Sequence, residues 1–378
     1  MITKLRFQNW RSLQDVTIEN LTPLTVFIGA NSSGKSNIVD GIKFLREATA
    51  DSPVQAIRNR RGFKNLVTIN EPRATFRLAM SFTSSQLGSA VEYSLEITET
   101  GEVFPVVSEI LTDYDKGIQG HIGYGETPPK MESLLGTGKT RLAAFLNNPL
   151  QETFYYTAQY IVERWQILDE GFNPPLSVVA GRYGDISLVD RDAANLPIML
   201  HFLKEAAPDK YALLQDDLQH LMGHIGQVRT TQDDRETRFY IEEKQRTGME
   251  APTISAGTAR LVAMLTAYYA LDIGPRASMP GLVVIEEPDT ALNPWILRDF
   301  VGFLRRSVEG EHPRQFILTT HNPALLDYFE PEEVRLVTRD EHGLSHVHAI
   351  PDHLKTVWGD PVALGEVWMT NAFGDMPI

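Results

Sequence analysis

The sequence predicts an α/β fold with a mixed sheet arranged around one phosphate-binding helix. Three observations indicate this class. Residues Gly29–Ser36 read GANSSGKS and follow the GxxxxGK[ST] pattern of a phosphate-binding loop. The apolar run Leu24–Ile28 before the loop has the composition of a buried strand, and after it Ile38, Ile42 and Leu45 recur on one helical face. A strand, a glycine-rich loop and a helix in this order are the context in which the pattern binds phosphate.

The chemistry expected of this loop follows from its geometry. Glycines let backbone N–H groups curl around a phosphate, and the N-terminus of the next helix adds partial positive charge. Lys35 is expected to bridge the β- and γ-phosphates of a nucleotide, and Ser36 is expected to hold Mg²⁺. The loop therefore predicts a P-loop NTPase. The residues expected at the nucleotide are Gly29, Asn31, Ser32, Ser33, Gly34, Lys35, Ser36 and Asn37.

The composition is typical of a globular protein. The 378 residues are 42% hydrophobic and 22% charged and include no cysteine, which excludes disulfides and thiolate metal sites. No apolar run reaches the roughly 18 residues that span a bilayer, so we expect a cytoplasmic protein without a membrane partner. The net charge of -14 argues against a surface that coats nucleic acid. The basic run Arg58–Lys64 is either a local DNA contact or a solvated loop.

Period-two patterns predict an antiparallel β lobe in the N-terminal part of the chain. Residues 1–28 read as two or three short strands, and apolar positions alternate with polar ones through 76–82 and 91–98. Arg11 lies in a polar turn from which it either reaches a nucleotide phosphate or closes a plain hairpin. Residues of about 100–190 lose this periodicity and predict a partly helical insertion, and about 191–275 predict a helical lobe. The whole of 1–378 is expected to form one domain.

Three further elements lie in the second half of the chain. Ile254–Arg260 is a small, glycine-bearing turn before a helix, a place where an anion can meet a helix N-terminus. Leu282–Ile285 is an apolar strand that leads into the acid pair Glu286–Glu287. Beside a phosphate loop, one acid can serve Mg²⁺ and the other can orient the attacking water. Phe316–Thr320 is another apolar strand, and His321 follows it.

These elements, in this order, resemble the ABC-type ATPases of the RecF/SMC branch. The matching segments are Gly29–Ser36 as Walker A, Ser255–Thr258 as a degenerate signature motif, Leu282–Glu287 as Walker B, Asp289–Asn293 as the D-loop and Thr319–His321 as the H-loop. Asn9–Leu13 and the tail around Leu364–Trp368 are similar to small RecF-like ATPases related to the overcoming-lysogenization proteins, which are frequent in bacterial anti-phage systems. The chain departs from the family pattern at Ala256, Thr258 and Glu286. The resemblance implies an ABC-type head.

The resemblance also implies that two heads share each nucleotide. ATP would lie between Walker A of one subunit and the signature motif of the other, where Ser255 and Gly257 would complete the site in trans. Asp289 would communicate across the contact. We therefore expect a homodimer or a higher even oligomer, closed by ATP.

For hydrolysis, the resemblance implies a role for each polar residue at the strand ends. Glu287 would orient the attacking water, while Lys35 and His321 would stabilise charge. Ser36 and Glu286 would hold Mg²⁺. ATP and Mg²⁺ are the expected cofactors.

Three functions stay open at this point. The first is an ATPase switch or sensor that controls a separately encoded effector, a nuclease or a toxin, in anti-phage defence. The second is an ATPase head that binds DNA in repair or recombination, and the third is a structural nucleotide binder that does not hydrolyse. The first is favoured because the chain is acidic, has no heptad run for a coiled coil and shows no nuclease motif.

Other patterns in the chain have simpler interpretations. Gly136–Thr140 reads GTGKT but lacks the first glycine and the preceding strand of a phosphate loop. The histidines at 342, 346 and 348 are expected to flank a hairpin turn at Gly343 rather than to bind metal. Gln151 and Gln159 are guesses for the Q-loop glutamine and are not assigned to the site.

Overall fold

The computed structural model describes residues 1–69, 74–84, 89–100, 105–124, 151–179, 188–244, 254–274, 277, 279–310, 314–351 and 364–369. In chain order the strands are β1 Ile2–Trp10, β2 Leu13–Ile18, β3 Leu24–Ile28, β4 Thr75–Ser84, β5 Ser89–Thr98, β6 Val106–Asp113, β7 Ile118–Tyr124, β8 Trp165–Leu168, β9 Ser177–Val179, β10 Ile225–Gln232, β11 Glu236–Glu243, β12 Gly281–Glu286, β13 Arg314–Thr320, β14 Val334–Arg339 and β15 Ser345–Ala349. The helices are α1 Lys35–Ala50, α2 Pro53–Asn59, α3 Gln151–Arg164, α4 Leu196–Ala206, α5 Pro208–Leu221, α6 Ala256–Ala270, α7 Pro294–Glu309, α8 Pro323–Leu326 and α9 Leu364–Met369.

A six-stranded mixed sheet carries the phosphate loop. Its strand order is β15-β14-β3-β13-β12-β8, in which β15 alone runs antiparallel to its neighbour. Strands β3, β12 and β13 are buried along their whole length, as parallel strands covered on both faces must be. The apolar runs Leu282–Ile285 of β12 and Phe316–Leu318 of β13 follow from this burial. The loops after β3, β12 and β13 consequently leave the same edge of the sheet.

The N-terminal lobe is a second six-stranded sheet, with the order β2-β1-β4-β5-β6-β7 and antiparallel pairing throughout. The predicted pairing of residues 76–82 with 91–98 is confirmed, with Phe76 opposite Ile97 and Phe82 opposite Val91. A third sheet has three strands in the order β10-β11-β9.

Two hydrophobic cores hold these layers together. One lies between the antiparallel sheet, α1 and one face of the mixed sheet, and it includes Trp10, Phe44 and Phe76 in mutual edge contacts. The other lies on the opposite face of the mixed sheet and is formed with α4, α5, α6 and α7. Because α1 packs between two sheets, its apolar face is fixed from both sides. The phosphate loop at its start is therefore held by a rigid scaffold.

The predicted insertion at about 100–190 lies only partly within the described residues. Its described part contains α3, but also β6 and β7 of the antiparallel sheet and β8 at the edge of the mixed sheet. The sequence of β6 shows no hydrophobic alternation because two of its buried positions are the acids Glu109 and Asp113. The helical pattern that begins at Leu196 is interrupted at Ala207, between α4 and α5. The domain bounds at about 100–190 and 191–275 stay predictions, and the GTGKT segment lies outside the described residues.

No helix in the described residues is both long and apolar enough to cross a membrane.

Candidate nucleotide site

The phosphate loop begins at the carboxyl end of β3 and runs directly into α1. Gly34 has a φ of 116°, a left-handed conformation that glycine adopts without strain. A Cβ on Gly29 would lie 2.3 Å from the carbonyl oxygen of Val337, so this position also needs glycine. The loop residues Asn31, Ser32 and Ser36 are exposed, Asn37 is partly buried, and Ser33, Gly34 and Lys35 are buried.

Lys35 folds back onto the loop. Its Nζ donates hydrogen bonds to the carbonyl oxygens of Gly29 at 2.8 Å and Ala30 at 3.2 Å, and it lies 3.9 Å from Oε1 of Glu287. Burial lowers the pKa of Lys35, and the negative charge of Glu287 opposes this shift. The ammonium group is thus positioned where a phosphate oxygen can replace a carbonyl as its acceptor.

Glu287 and His321 meet at the ends of two neighbouring strands. Glu286 pairs with Thr319 in the parallel register of β12 and β13, so the residues that follow each strand emerge side by side. Oε2 of Glu287 accepts a hydrogen bond from the backbone N–H of His321 at 3.2 Å and lies 2.7 Å from its Nδ1. Burial raises the pKa of Glu287, opposed by the charges of His321 and Lys35. The left-handed φ of 47° at Glu287 turns the chain out of the strand.

Glu286 is buried and pairs with the ammonium group of Lys43, which lies on α1. Lys43 Nζ also lies 2.8 Å from Oδ1 of Asp169, the residue that follows β8. Burial raises the pKa of Glu286, while the positive charge of Lys43 lowers it. The predicted metal ligand therefore has a cationic neighbour within the chain.

Asp289 and the signature residues are held by local hydrogen bonds. Oδ1 of Asp289 accepts a hydrogen bond from the hydroxyl of Thr320 at 2.9 Å. Ser255 caps α6 by accepting from the N–H of Thr258 at 3.1 Å, and Gly257 lies in the first turn of that helix. Within the described residues, none of the hydrogen bonds of Ser255 joins it to the phosphate loop. The fold brings Asp289 to the strand edge and leaves Ser255 and Gly257 outside the hydrogen-bond network of the loop.

Arg11 contacts α1. Its Nε lies 2.7 Å from Oδ2 of Asp40, and Asp40 also pairs with Arg60, which in turn pairs with Glu47. Arg60 thus belongs to an ion-pair network on α1, although it is part of the basic run Arg58–Lys64. A phosphate contact for Arg11 stays a prediction. The exposed members of the basic run are Arg58, Arg61 and Lys64.

The hairpin β14–β15 supports the phosphate loop from behind. Ser345 Oγ donates to the carbonyl oxygen of Ser33 at 2.6 Å and lies 2.7 Å from Oγ of Ser12. Asn37 Nδ2 donates to the same Ser12 hydroxyl at 2.6 Å. The predicted hairpin turn is confirmed, with Gly343 at a φ of 80°. The polar chain of Asn37, Ser12, Ser345 and Ser33 fixes the loop to strands distant in sequence.

The oxygen donors at the site suit Mg²⁺ that arrives with a nucleotide. Over the described ranges, no three His, Cys, Asp or Glu side chains group into a metal cage of their own. Ser36 offers an exposed hydroxyl in the first turn of α1, and Glu286 offers a carboxylate. Both are hard oxygen ligands, and Mg²⁺ is commonly bound by one or two protein oxygens together with phosphates and water. The residues present therefore fit the ion.

Sequence reasoning missed Lys43, Asp169 and Ser345. One signal was available, because Asp169 and Glu170 follow the apolar strand β8 just as Glu286 and Glu287 follow apolar residues of β12. The Q-loop guesses Gln151 and Gln159 both lie in α3, and neither is assigned to the site.

Comparisons with known proteins agree with this geometry. Residues 1–164 match a family model described as an AAA ATPase domain, and residues 158–327 match one described as an AAA domain, putative AbiEii toxin, Type IV TA system. An SMC head bound to the C-winged helix domain of ScpA is 16% identical, with 94% of this chain and 99% of that chain covered and a TM-score of 0.54. An SMC head with an extended coiled coil, derived from Pyrococcus furiosus and bound to the C-terminal domain of ScpA, is 15% identical, with 92% and 96% covered and a TM-score of 0.51. A comparison with the curated proteins gave no match.

The fold and the site define a P-loop NTPase with an SMC-like head, which confirms the predicted fold class. Consecutive family matches extend over residues 1–327. The chain thus matches AAA-type ATPase domain models and shares its fold with the SMC heads.

Proposed function

We propose that this ATPase binds and hydrolyses ATP with Mg²⁺, dimerises around the nucleotide and acts as a switch or sensor for a separately encoded effector in bacterial anti-phage defence. The effector would be a nuclease or a toxin. One observation carries the ATP chemistry: Lys35, Glu287 and His321 form a single cluster at the edge of the sheet beside the phosphate loop. The family description that names a putative toxin of a Type IV TA system supports the defence role.

In the proposed hydrolysis, Glu287 orients the attacking water and accepts its proton. The backbone N–H and Nδ1 of His321 position Oε2 of Glu287. The other carboxylate oxygen, Oε1 of Glu287, faces Lys35. Because Nδ1–H of His321 donates to the carboxylate, the doubly protonated imidazolium is the form in which Nε2–H can donate to a phosphate oxygen. Lys35 exchanges its carbonyl acceptors for the β- and γ-phosphates and stabilises the charge that develops there.

Ser36 and Glu286 are the proposed ligands of Mg²⁺. When bound, the ion neutralises phosphate charge and helps to orient the γ-phosphate. Neither residue coordinates the ion alone, so the metal and the nucleotide are expected to bind together.

The dimer is proposed because, among the described residues, no hydrogen bond joins Ser255 to the phosphate loop of its own chain. Ser255 and Gly257 lie at the N-terminus of α6, where backbone N–H groups attract an anion. In a face-to-face dimer, this N-terminus would meet the γ-phosphate held by the partner subunit. Contacts that form only with the γ-phosphate would drive closure, and hydrolysis would release them.

Mass photometry tests this function directly. Wild type and Glu287→Gln are measured with and without Mg-ATP, alone and with the product of the neighbouring gene. The proposal expects a stable dimer of the variant only with Mg-ATP, and a heavier complex when the effector is present. Unchanged mass in every condition would contradict the trans site. Wild-type protein that binds ATP without any turnover would instead favour a structural nucleotide binder.

A DNA-binding head is the second candidate, favoured by the exposed cations Arg58, Arg61 and Lys64 on one short segment. Replacing all three with glutamine should weaken duplex binding. It should also reduce the slope of log K against log salt by about 2.7, for three phosphate contacts. Fluorescence anisotropy at several salt concentrations measures both effects. Equal slopes for the variant and wild type would exclude these residues as the DNA contact.

A further inference from the structure

Lys43 is a buried lysine in the middle of α1, about two helical turns beyond Ser36. Only 9% of its surface is exposed, and lysine is almost never buried without a charged partner. Its partners are two carboxylates, those of Glu286 and Asp169. The charged side chain of Lys43 interrupts the apolar face of α1, so apolar packing does not explain why a lysine lies at this position.

The register of the mixed sheet creates this cluster. Ile285 of β12 pairs with Leu168 of β8 in a parallel arrangement, so the next residues, Glu286 and Asp169, leave neighbouring strands at the same edge. Two carboxylates placed side by side repel each other, and an ammonium group between them removes that repulsion. A divalent metal ion bound by both carboxylates would occupy the same position between them as the ammonium group.

We propose that Lys43 is an internal counter-cation at the metal position and competes with Mg²⁺ for Glu286. When the metal–nucleotide complex binds, Lys43 releases Glu286 and keeps Asp169 as its partner. This inference rests on the proposed function, because it takes Glu286 as a metal ligand. With Lys43 in place, Glu286 attracts free Mg²⁺ weakly. The added negative charge of nucleotide phosphates is then needed to draw the ion in, so metal and nucleotide bind as a unit.

The surrounding charges support an exchange of partners rather than a loss of them. Asp169 stays available to Lys43 because its Oδ1 lies 2.8 Å from the ammonium group, whereas its contact with Arg191, through Oδ2, is longer at 3.9 Å. Arg191 has a closer partner in Glu47, at 2.8 Å. Lys43 can therefore release Glu286 without becoming an unpaired buried charge, which would be strongly unfavourable.

The decisive variants change the charge at this position. Lys43→Met keeps the length of the side chain and removes the cation, and Lys43→Arg keeps the cation. Lys204→Met makes the same charge change at an exposed lysine on α4 and is the matched control. Two readouts avoid turnover: the Mg²⁺ concentration for half-maximal binding of a fluorescent ATP analogue, and the shift of the thermal midpoint caused by Mg²⁺ alone.

We expect Lys43→Met to lower the half-maximal Mg²⁺ concentration by about tenfold or more, because one unit of positive charge leaves the metal position. Mg²⁺ alone should then raise its thermal midpoint. Lys43→Arg and Lys204→Met should both resemble wild type. An unchanged Mg²⁺ dependence in a folded Lys43→Met protein would overturn the proposal.

The double variant Lys43→Met with Asp169→Asn removes one charge of each sign and serves if the single variant does not fold. Its net charge equals that of wild type, but nothing competes for Glu286. A lowered Mg²⁺ requirement supports competition, and a wild-type requirement overturns it. If wild type itself binds nucleotide equally well in Mg²⁺ and in EDTA, the metal role of Glu286 fails first. If wild type depends on Mg²⁺ but the variants do not differ from it, only the inference about Lys43 fails.

Discussion

The substitution Glu287→Gln tests the catalytic assignment most directly. Glutamine has the same length, and its amide oxygen can still accept the hydrogen bonds that His321 directs to Oε2. The fold at the end of β12 should therefore be preserved. What is lost is the negative charge, and with it the ability to accept a proton from water.

Two magnitudes follow from the structure. Loss of a positioned general base usually costs about 10²–10⁴-fold in rate, or about 3–5 kcal/mol in the barrier. The carboxylate also attracts Lys35 at 3.9 Å, which amounts to about 4 kcal/mol at an effective dielectric constant of ~20 before desolvation is counted. The glutamine variant frees Lys35 from that attraction. ATP should therefore bind at least as tightly as in wild type, while turnover falls.

Phosphate release and equilibrium binding of a fluorescent ATP analogue measure the two effects separately. Glu341→Gln is the matched control, because Glu341 is 88% exposed in the hairpin turn and should leave both unchanged. Retention of more than about a tenth of wild-type turnover by Glu287→Gln would refute the role of general base. Loss of ATP binding would refute the argument from Lys35.

Three other outcomes are expected. Burial raises the pKa of Glu287 above its usual 4.5, and the base acts in its ionised form. Turnover should therefore fall as the pH drops through that raised pKa. The pH profile of the residual rate of Glu287→Gln should lack this acidic limb. Trp295 is 88% exposed in the first turn of α7, just after the predicted D-loop. Trp295→Ala should therefore weaken the ATP-dependent dimer, whereas Trp295→Phe should largely keep it. Equal dimer fractions of the two variants and wild type in mass photometry would place the residue outside the contact. Ser345→Ala leaves the Ser33 carbonyl without its buried donor. The substitution should lower the free energy of unfolding by about 1–3 kcal/mol and weaken ATP binding. Calorimetry that finds both quantities unchanged would contradict the proposed support of the loop.

Local patterns predicted the fold correctly where the structure is local. Gly29–Ser36 was predictable because the loop, its strand and its helix are consecutive in sequence, and the glycines serve positions that need a left-handed φ or a close backbone contact. Apolar runs likewise predicted β12 and β13, since strands buried on both faces leave little room for polar residues. The acid pair after one strand and the histidine after the other were therefore recognisable as candidate site residues.

Sequence patterns were less informative where charged residues occupy buried positions. Strand β6 alternates as regularly as β5, but its buried positions include Glu109 and Asp113, so the sequence shows no hydrophobic period. Asp113 is stabilised at that position by hydrogen bonds from Ser89 Oγ and the N–H of Lys116. Only the folded chain supplies such partners, and a sequence pattern does not reveal them.

The sequence by itself determined the kind of chemistry: a phosphate loop, two acids and a histidine, each at the end of an apolar strand. The tertiary structure decided how these groups meet. The parallel register placed Glu287 against His321 and brought Asp169 beside Glu286, and the packing of α1 on the sheet carried Lys43 between them. The physical reason is distance along the chain: glycine and periodicity act over a few residues, whereas ion pairs between residues 34 to 243 positions apart depend on the packing of the whole fold.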